Sequence, residues 1–441
     1  MTRFWCEQAW LPSGLATGVE VAAGADGRIV AVHPGVAARS DAYRLPGLVL
    51  PGMANAHSHA FHRALRGRTG GSGTFWSWRT MMYDLASRLD PDSYLALATA
   101  VYAELVTAGW TCVGEFHYLH HAPGGQRYTQ PTVMADAVRA AAARAGIRLT
   151  LLDTCYLAGG IGIELAAEQA RFGDVAVAEW AARLGAHPAD TDQHRTGAAI
   201  HSVRAVPREA LPEAVAAAGD RPLHVHLAEQ AREVVACRTA YGASPARVLH
   251  DAGALSARTT AVHAIHLDET DIQLLGDAGT SVAACPSTEA DLADGIGPFA
   301  ALAAAGCSIV LGSDQHVIVD PFAEARALEH GQRQRCGCRD QFTGPALVRA
   351  LTSAGHTALG WPGNGVIAPG AACDLVAVRT DSPRTAGCLP EQLPLAATAS
   401  DVNTVVVGGT VVAEGGRHVE LGDVGAALRA AIRLVWTCAA P

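Results

Sequence analysis

Leu48-Val49-Leu50-Pro51-Gly52-Met53-Ala54-Asn55-Ala56-His57-Ser58-His59 is the stretch on which the fold turns. Residues 48–54 form a short apolar run, which predicts a buried strand. Two histidines follow it with one residue between them. Side chains at i and i+2 of an extended chain point the same way, so His57 and His59 aim two imidazoles at one place.

Working outward, short β-rich runs recur at 111–116, 147–154, 198–203, 222–227, 260–265, 280–285 and 308–312. With 48–54 they make eight, and longer amphipathic stretches such as 92–108, 132–145 and 271–278 lie between them. Asp92 reads as a helix N-cap, and Gly109 and Gly146 as helix stops. Eight βα units predict an α/β fold, a parallel (β/α)8 TIM barrel. The two ends read differently. Residues 15–49 carry short strands with turns such as Gly24-Ala25-Asp26-Gly27. The tail has a strand at 374–378 and another region at 404–412 with a Gly408-Gly409 turn. The expectation is one small β-sandwich built from both ends, with segments 1–49 and 366–441 flanking a catalytic barrel at 50–365.

Composition excludes several functions. Of 441 residues, 49% are hydrophobic and 17% charged, which rules out disorder as the main state. All 33 basic residues are arginine. Without lysine there is no Schiff-base chemistry, no Walker P-loop and no carbamylated lysine to bridge two metals. The net charge is −9 with no basic tract, so no nucleic-acid partner is expected. The opening residues lack an apolar leader core, and no run of about 18 apolar residues occurs, so neither a signal peptide nor a membrane span is expected. The 11 cysteines include no CxxC, and Cys336-Gly337-Cys338 is the one close pair. They read as small hydrophobes in a reducing cytoplasm.

The histidines carry the chemistry. His224-Val225-His226 ends the fifth run, His263 the sixth, and Asp314 follows the eighth in Leu311-Gly312-Ser313-Asp314. Strand ends of a barrel share one mouth. A single His-x-His is weak evidence, but four strand ends agreeing on one pole are not. Histidines with one carboxylate suit zinc or iron(II) and leave a position for water. On these grounds alone, His224 and His226 are rival ligands.

This pattern resembles the amidohydrolase superfamily, through Pro51-Gly-Met-Ala-Asn-Ala-His57-Ser-His59, His226, His263, Gly312-Ser-Asp314 and Ile367-Ala-Pro-Gly-Ala-Ala-Cys-Asp374. The resemblance implies one divalent ion per subunit, zinc with iron(II) as the alternative, held by His57, His59, His226 and Asp314. The missing lysine and the His226-Leu-Ala-Glu229 spacing match its single-metal deaminase branch and favour His226 over His224. Within that branch the chain is similar to the formimidoylglutamate deiminases of histidine degradation. The shared words are Ala60-Phe-His62-Arg63-Ala-Leu-Arg66-Gly67, Phe75-Trp-Ser-Trp-Arg79, Gly114-Glu-Phe-His-Tyr118-Leu-His-His121, His201-Ser-Val-Arg204, Glu229-Gln230 and Cys285-Pro-Ser-Thr-Glu289. Two positions depart from the pattern. His62 stands where Gln is usual, and Gln315 where Ser is usual.

The implied reaction converts N-formimidoyl-L-glutamate, a dicarboxylate amidine, to N-formyl-L-glutamate and ammonia. The ion would lower the pKa of water from ~15.7 to about 7. In the implied roles Asp314 takes the water's proton, His263 hydrogen-bonds the attacking oxygen and Glu229 protonates the leaving nitrogen. Arginine suits carboxylates because its planar donors pair with both oxygens. The implied substrate shell is Arg79, Tyr118, His201 and Arg204, with His62 either touching substrate or filling the space of Gln. Gly70-Gly71-Ser72-Gly73 and the Trp76/Trp78 pair suggest a lid, and the resemblance implies a homodimer. Two other readings stand beside this one: a deaminase of another formimino or guanidino acid or of an aminated heterocycle, and a non-catalytic scaffold of the same fold.

Overall fold

The computed structural model describes residues 1–69 and 75–437, with backbone alone at 75–77. The expected lid segment 70–73 and the side chain of Trp76 therefore lie outside the described residues.

The chain opens with β1 (Thr2–Leu11), β2 (Gly14–Ala23), β3 (Ile29–His33) and β4 (Tyr43–Pro51). Eight strands follow: β5 (Met53–Ser58), β6 (Trp110–His117), β7 (Arg148–Cys155), β8 (His194–Ile200), β9 (Leu223–Leu227), β10 (Thr259–His263), β11 (Ser281–Ala284) and β12 (Ser308–Leu311). They pair in sequential order, every neighbour parallel. A parallel bridge from Ser58 to Asp314 joins the first strand to the end of the last. This is the predicted (β/α)8 barrel. The tail adds β13 (Leu375–Val378), β14 (Val402–Val407), β15 (Thr410–Glu414) and β16 (Arg417–His418). Both ends of the chain join in one eight-stranded sheet of order β16-β15-β14-β13-β4-β1-β2-β3.

The 48–54 run is not one strand. Leu48 to Pro51 finish β4 in the terminal sheet, and the barrel begins at Met53. Gly52 makes the transfer. A Cβ there would meet Thr111 Oγ1 at 2.3 Å and Asp374 Cβ at 2.5 Å, so only a bare backbone passes. The Gly52 amide donates to the Asp374 carbonyl at 2.8 Å. Asp374 also receives Arg148 from the base of β7 at 3.1 Å, a buried pair that ties the sheet to the barrel. β1 carries no clear alternation and was not among the expected strands, yet it is an interior strand of that sheet, between β4 and β2.

The helix after the first loop spans Pro91–Ala108, and its N-cap is Asp90, not Asp92. Pro91 explains the shift, because proline favours the first helical position and the cap must precede it. The Asp90 carboxylate accepts from the Ser93 amide, and Ser93 Oγ accepts from the Asp90 amide. Gly109 ends this helix with φ 108°, and Gly146 ends Val133–Ala145 with φ 65°, both as expected. Gly408-Gly409, at φ 57° and 76°, turns β14 into β15.

The barrel interior is filled, not hollow. Ala56, Val262, Ala283 and Val310 pack inside it with Ala358, and Leu359 and Trp361 pack with Ala54 and Cys112 nearby. The Trp361 indole donates to Thr150 Oγ1 at 2.8 Å, and that hydroxyl donates to the Leu359 carbonyl. Among the described residues, no helix is long and apolar enough to cross a membrane.

Candidate active site

The C-terminal ends of the strands converge as parallel topology requires. His57 and His59 lie on or just past β5, His226 on β9, His263 at the end of β10 and Asp314 beyond β12. All five are buried. His57 Nε2 is 3.4 Å from Asp314 Oδ1 and 3.2 Å from His226 Nε2. His59 Nε2 is also 3.4 Å from Asp314 Oδ1. His263 Nε2 lies 3.9 Å from Asp314 Oδ2 and 4.0 Å from Glu229 Oε1. Of the rival histidines, His226 reaches this centre. His224 sits one layer deeper in the barrel, where its Nε2 donates to the Ala358 carbonyl at 3.1 Å.

Backbone geometry at this rim is unusual. Ala228, His263, Ala264, Asp314 and His316 all have φ between 44° and 70°, the left-handed region that side chains other than glycine rarely adopt. Strain of this kind persists where surrounding bonds over-determine it. At Asp314 they do, since its amide donates to the His57 carbonyl and its carbonyl accepts from the His59 amide, at 2.9 and 3.0 Å.

The outer bonds set the imidazole tautomers, which the sequence left unnamed. His59 Nδ1 donates to the Phe116 carbonyl and His226 Nδ1 to the His201 carbonyl, each at 2.9 Å. Both rings thus turn an Nε2 lone pair inward. Burial pushes His57 down to about 3 and lowers His59 and His226 as well, so these rings are neutral. The His59 and His226 lone pairs and the neutral His57 ring crowd together beside the buried Asp314 carboxylate. A divalent cation fits that donor set. His263 is different. Burial alone would lower it, but a 3.4 Å bond to Glu289 and the charges of Glu229 and Asp314 push it up to about 10. It is a proton donor facing the same centre. Glu289 therefore stands behind His263, where it also accepts the Cys285 amide at 2.8 Å.

A cavity of about 400 Å³ opens on this cluster. Its lining includes every residue expected for the substrate shell: His62, Arg79, Tyr118, His201 and Arg204. His62 Nε2 and the Tyr118 hydroxyl are 2.8 Å apart. Arg79, on the helix Phe75–Ser87, donates from Nε to the Tyr83 hydroxyl. The His201 ring packs edge-on to Tyr156, with centroids 4.5 Å apart. Arg204 Nη2 is 3.3 Å from Glu229 Oε2. Gln315 is absent from the lining; its side-chain Nε2 donates to Asp291 at 3.1 Å.

Sequence reasoning missed Tyr83, Tyr156, Arg232 and Glu233, which share the cavity wall. Tyr156 follows β7 directly, so the rule that found the histidines also reaches it. Glu233 sits in the first turn of the helix Ala231–Tyr241, where an acid reads as a helix-dipole partner. Glu115, behind the site, binds the Ser58 hydroxyl at 2.8 Å and the Ala60 amide at 2.7 Å, and so braces the segment that bears His57 and His59.

Comparison with known proteins agrees with this geometry. The chain is 37% identical to a formimidoylglutamate deiminase of Pseudomonas aeruginosa, over 95% of this chain and 96% of the relative. It is 31% identical to an 8-oxoguanine deaminase of the same species, over 93% of each. A crystal structure of an amidohydrolase from Brucella melitensis superposes with a TM-score of 0.91 at 32% identity, covering 99% of this chain and 100% of the other. An adenosine deaminase from Xanthomonas campestris with bound zinc shares the fold, with a TM-score of 0.83 at 24% identity and 99% of each chain covered. A family model described as "Amidohydrolase family" matches residues 48–412, from the end of β4 through the whole barrel into β15. With the histidines and the aspartate gathered at the mouth of that barrel, the chain belongs to the amidohydrolase family.

Proposed function

We propose that this protein hydrolyses N-formimidoyl-L-glutamate to N-formyl-L-glutamate and ammonia. One observation carries the reading. Arg79, Arg204 and Arg232 line the same cavity as the histidine–aspartate cluster, in a chain whose net charge is −9. Guanidinium groups beside a hydrolytic centre suit a substrate with carboxylates. A neutral purine ring does not call for them. The 37% identity to a deiminase of that name supports the same choice.

His57, His59, His226 and Asp314 are the residues that would hold a divalent ion, zinc in the first instance. Such an ion, when bound, acidifies water and polarises the amidine. The chain's own groups do the rest. Asp314 accepts a proton from the attacking water. His263, protonated and pinned by Glu289, hydrogen-bonds the oxygen as it adds to the amidine carbon. Glu229 relays both protons of the water to the departing nitrogen, the first by way of Asp314 and the second from the hydroxyl on the tetrahedral carbon, so that the nitrogen leaves as ammonia and a carbonyl remains. Arg79 and Arg204 take the substrate carboxylates, and Tyr118, His201 and His62 shape the wall between them and the reacting carbon.

An ammonia-release screen tests the reading, run over N-formimidoyl-L-glutamate, N-formimidoyl-L-aspartate, guanidino acids and aminated purines, with metal quantified in the same sample. N-formimidoyl-L-glutamate should have the highest kcat/KM. A higher value for a neutral aminated ring would sink the proposal.

A further inference from the structure

Tyr156 follows β7 directly, is buried, and lines the same cavity as the histidine–aspartate cluster. Its phenol oxygen accepts from Gln169 Nε2 at 2.7 Å. The Gln169 amide has one orientation that satisfies both of its ends. Its Oε1 accepts from the Ala166 amide at 3.0 Å, so Nε2 is the end that faces the phenol. Tyr156 is therefore the acceptor in that bond, and its own O–H proton is left for another partner. Among the described residues it donates to none.

That proton stays in place. Burial holds the Tyr156 phenol above its usual pKa, and the charges of Arg79 and Arg204 offset this only in part. The same two guanidiniums act on Tyr83, whose hydroxyl accepts from Arg79 Nε. One corner of the cavity thus gathers two cations and a spare O–H. A carboxylate, with two acceptor oxygens, answers donors of this kind.

Position within the cavity says which carboxylate. Arg204 Nη2 lies 3.3 Å from Glu229 Oε2, beside the group that serves the departing nitrogen. Arg204 therefore suits the carboxylate on the carbon that bears the amidine. Tyr156 lies further out. The His201 ring packs against both Tyr156 and His226, with centroids 4.5 and 5.1 Å away, which sets the phenol one ring beyond the cluster.

We propose that Tyr156 is a further substrate-binding residue that donates its O–H to the distal carboxylate of the substrate beside Arg79, and that Gln169 is a positioning residue that aims this donor by occupying the phenol oxygen from behind. This rests on the reading of the substrate as an N-formimidoyl dicarboxylate.

The test compares N-formimidoyl-L-glutamate with N-formimidoyl-L-2-aminobutyrate, which lacks only the distal carboxylate, on the metal-loaded full chain. Tyr156→Phe keeps the ring that packs against His201. Its KM for N-formimidoyl-L-glutamate should rise about tenfold with kcat little changed, the loss expected for one hydrogen bond to a charged group. Its kcat/KM for the aminobutyrate compound should equal that of the unaltered chain. Unchanged KM for N-formimidoyl-L-glutamate, or an equal fall in kcat/KM for both compounds, overturns the role of Tyr156. Gln169→Glu places an acceptor where the amide donor stood and so draws the phenol proton away from the ligand. It should raise KM for N-formimidoyl-L-glutamate about tenfold with Tyr156 present and change little in the Tyr156→Phe background. Equal effects in the two backgrounds overturn the role of Gln169. The two readings fail separately. If N-formimidoyl-L-glutamate is not hydrolysed, the proposed function falls. If it is hydrolysed and Tyr156→Phe leaves its KM unchanged, only the distal seat falls.

Discussion

Among the six polar side chains at the barrel mouth, the environment divides one residue type into two jobs. His57, His59 and His226 are kept neutral by burial, while His263, with Glu289 behind it and Glu229 and Asp314 in front, keeps its proton. Among the described residues, Glu229 belongs to none of the groups of converging ligand atoms that include these rings, so the cation site does not need it. Glu229→Gln should therefore retain its metal and lose about 10²–10⁴-fold in kcat, read by ammonia release with metal analysis on the same preparation. Full activity would remove Glu229 from the proton path. Arg79→Met and Arg204→Met should each raise KM for N-formimidoyl-L-glutamate by about 10–100-fold, the loss expected when hydrogen bonds to a charged group disappear. Steady-state kinetics with unchanged KM in both variants would refute the acidic-substrate assignment. The histidines and Asp314 were legible from their spacing and from strand ends, and Glu229, Arg79 and Arg204 from the family resemblance. Glu233 was not, because an acid in a helix's first turn looks the same whether it faces water or a buried guanidinium.

The strands place the ligands, and contacts between elements decide how closely. Gly312, between β12 and Asp314, shows this. A Cβ there would meet His57 Cβ at 2.8 Å, the His57 carbonyl at 2.9 Å and Cys285 Sγ at 3.0 Å. The position is small because β5 crosses against it, so Gly312→Ala should push His57 out of line. Overpacking of this kind costs about 1–3 kcal/mol. The variant should purify with less than one metal per chain and a lower Tm, and wild-type metal content would show that β5 has room to yield. Element boundaries were where local reading faltered. The 48–54 run is continuous in hydrophobicity yet split between two sheets at Pro51 and Gly52. Periodicity reports burial, and both halves are buried, so it is blind to which core buries them.

At the scale of the molecule, the ligands come from both ends of the barrel sequence and meet only when β5 and β12 close the ring through Ser58 and Asp314. A bound cation should therefore stabilise the closed barrel as well as activate water. Chelation should abolish ammonia release and lower Tm, and zinc added back should restore both. Unchanged Tm with lost activity would confine the ion to chemistry. Eight apolar runs, glycine stops and histidines at one pole were enough to determine the barrel and the pole at which the histidines and Asp314 gather, since those follow from local periodicity and parallel topology. The family resemblance favoured His226 over His224, and the tertiary structure supplied the physical reason: both face the barrel interior, and depth distinguishes a ring at the mouth from one satisfied by the Ala358 carbonyl. It likewise decided which groups stand behind each imidazole and which carboxylate holds Arg204. Those partners lie on other strands and loops, and no spacing along a single chain encodes a contact made across a fold.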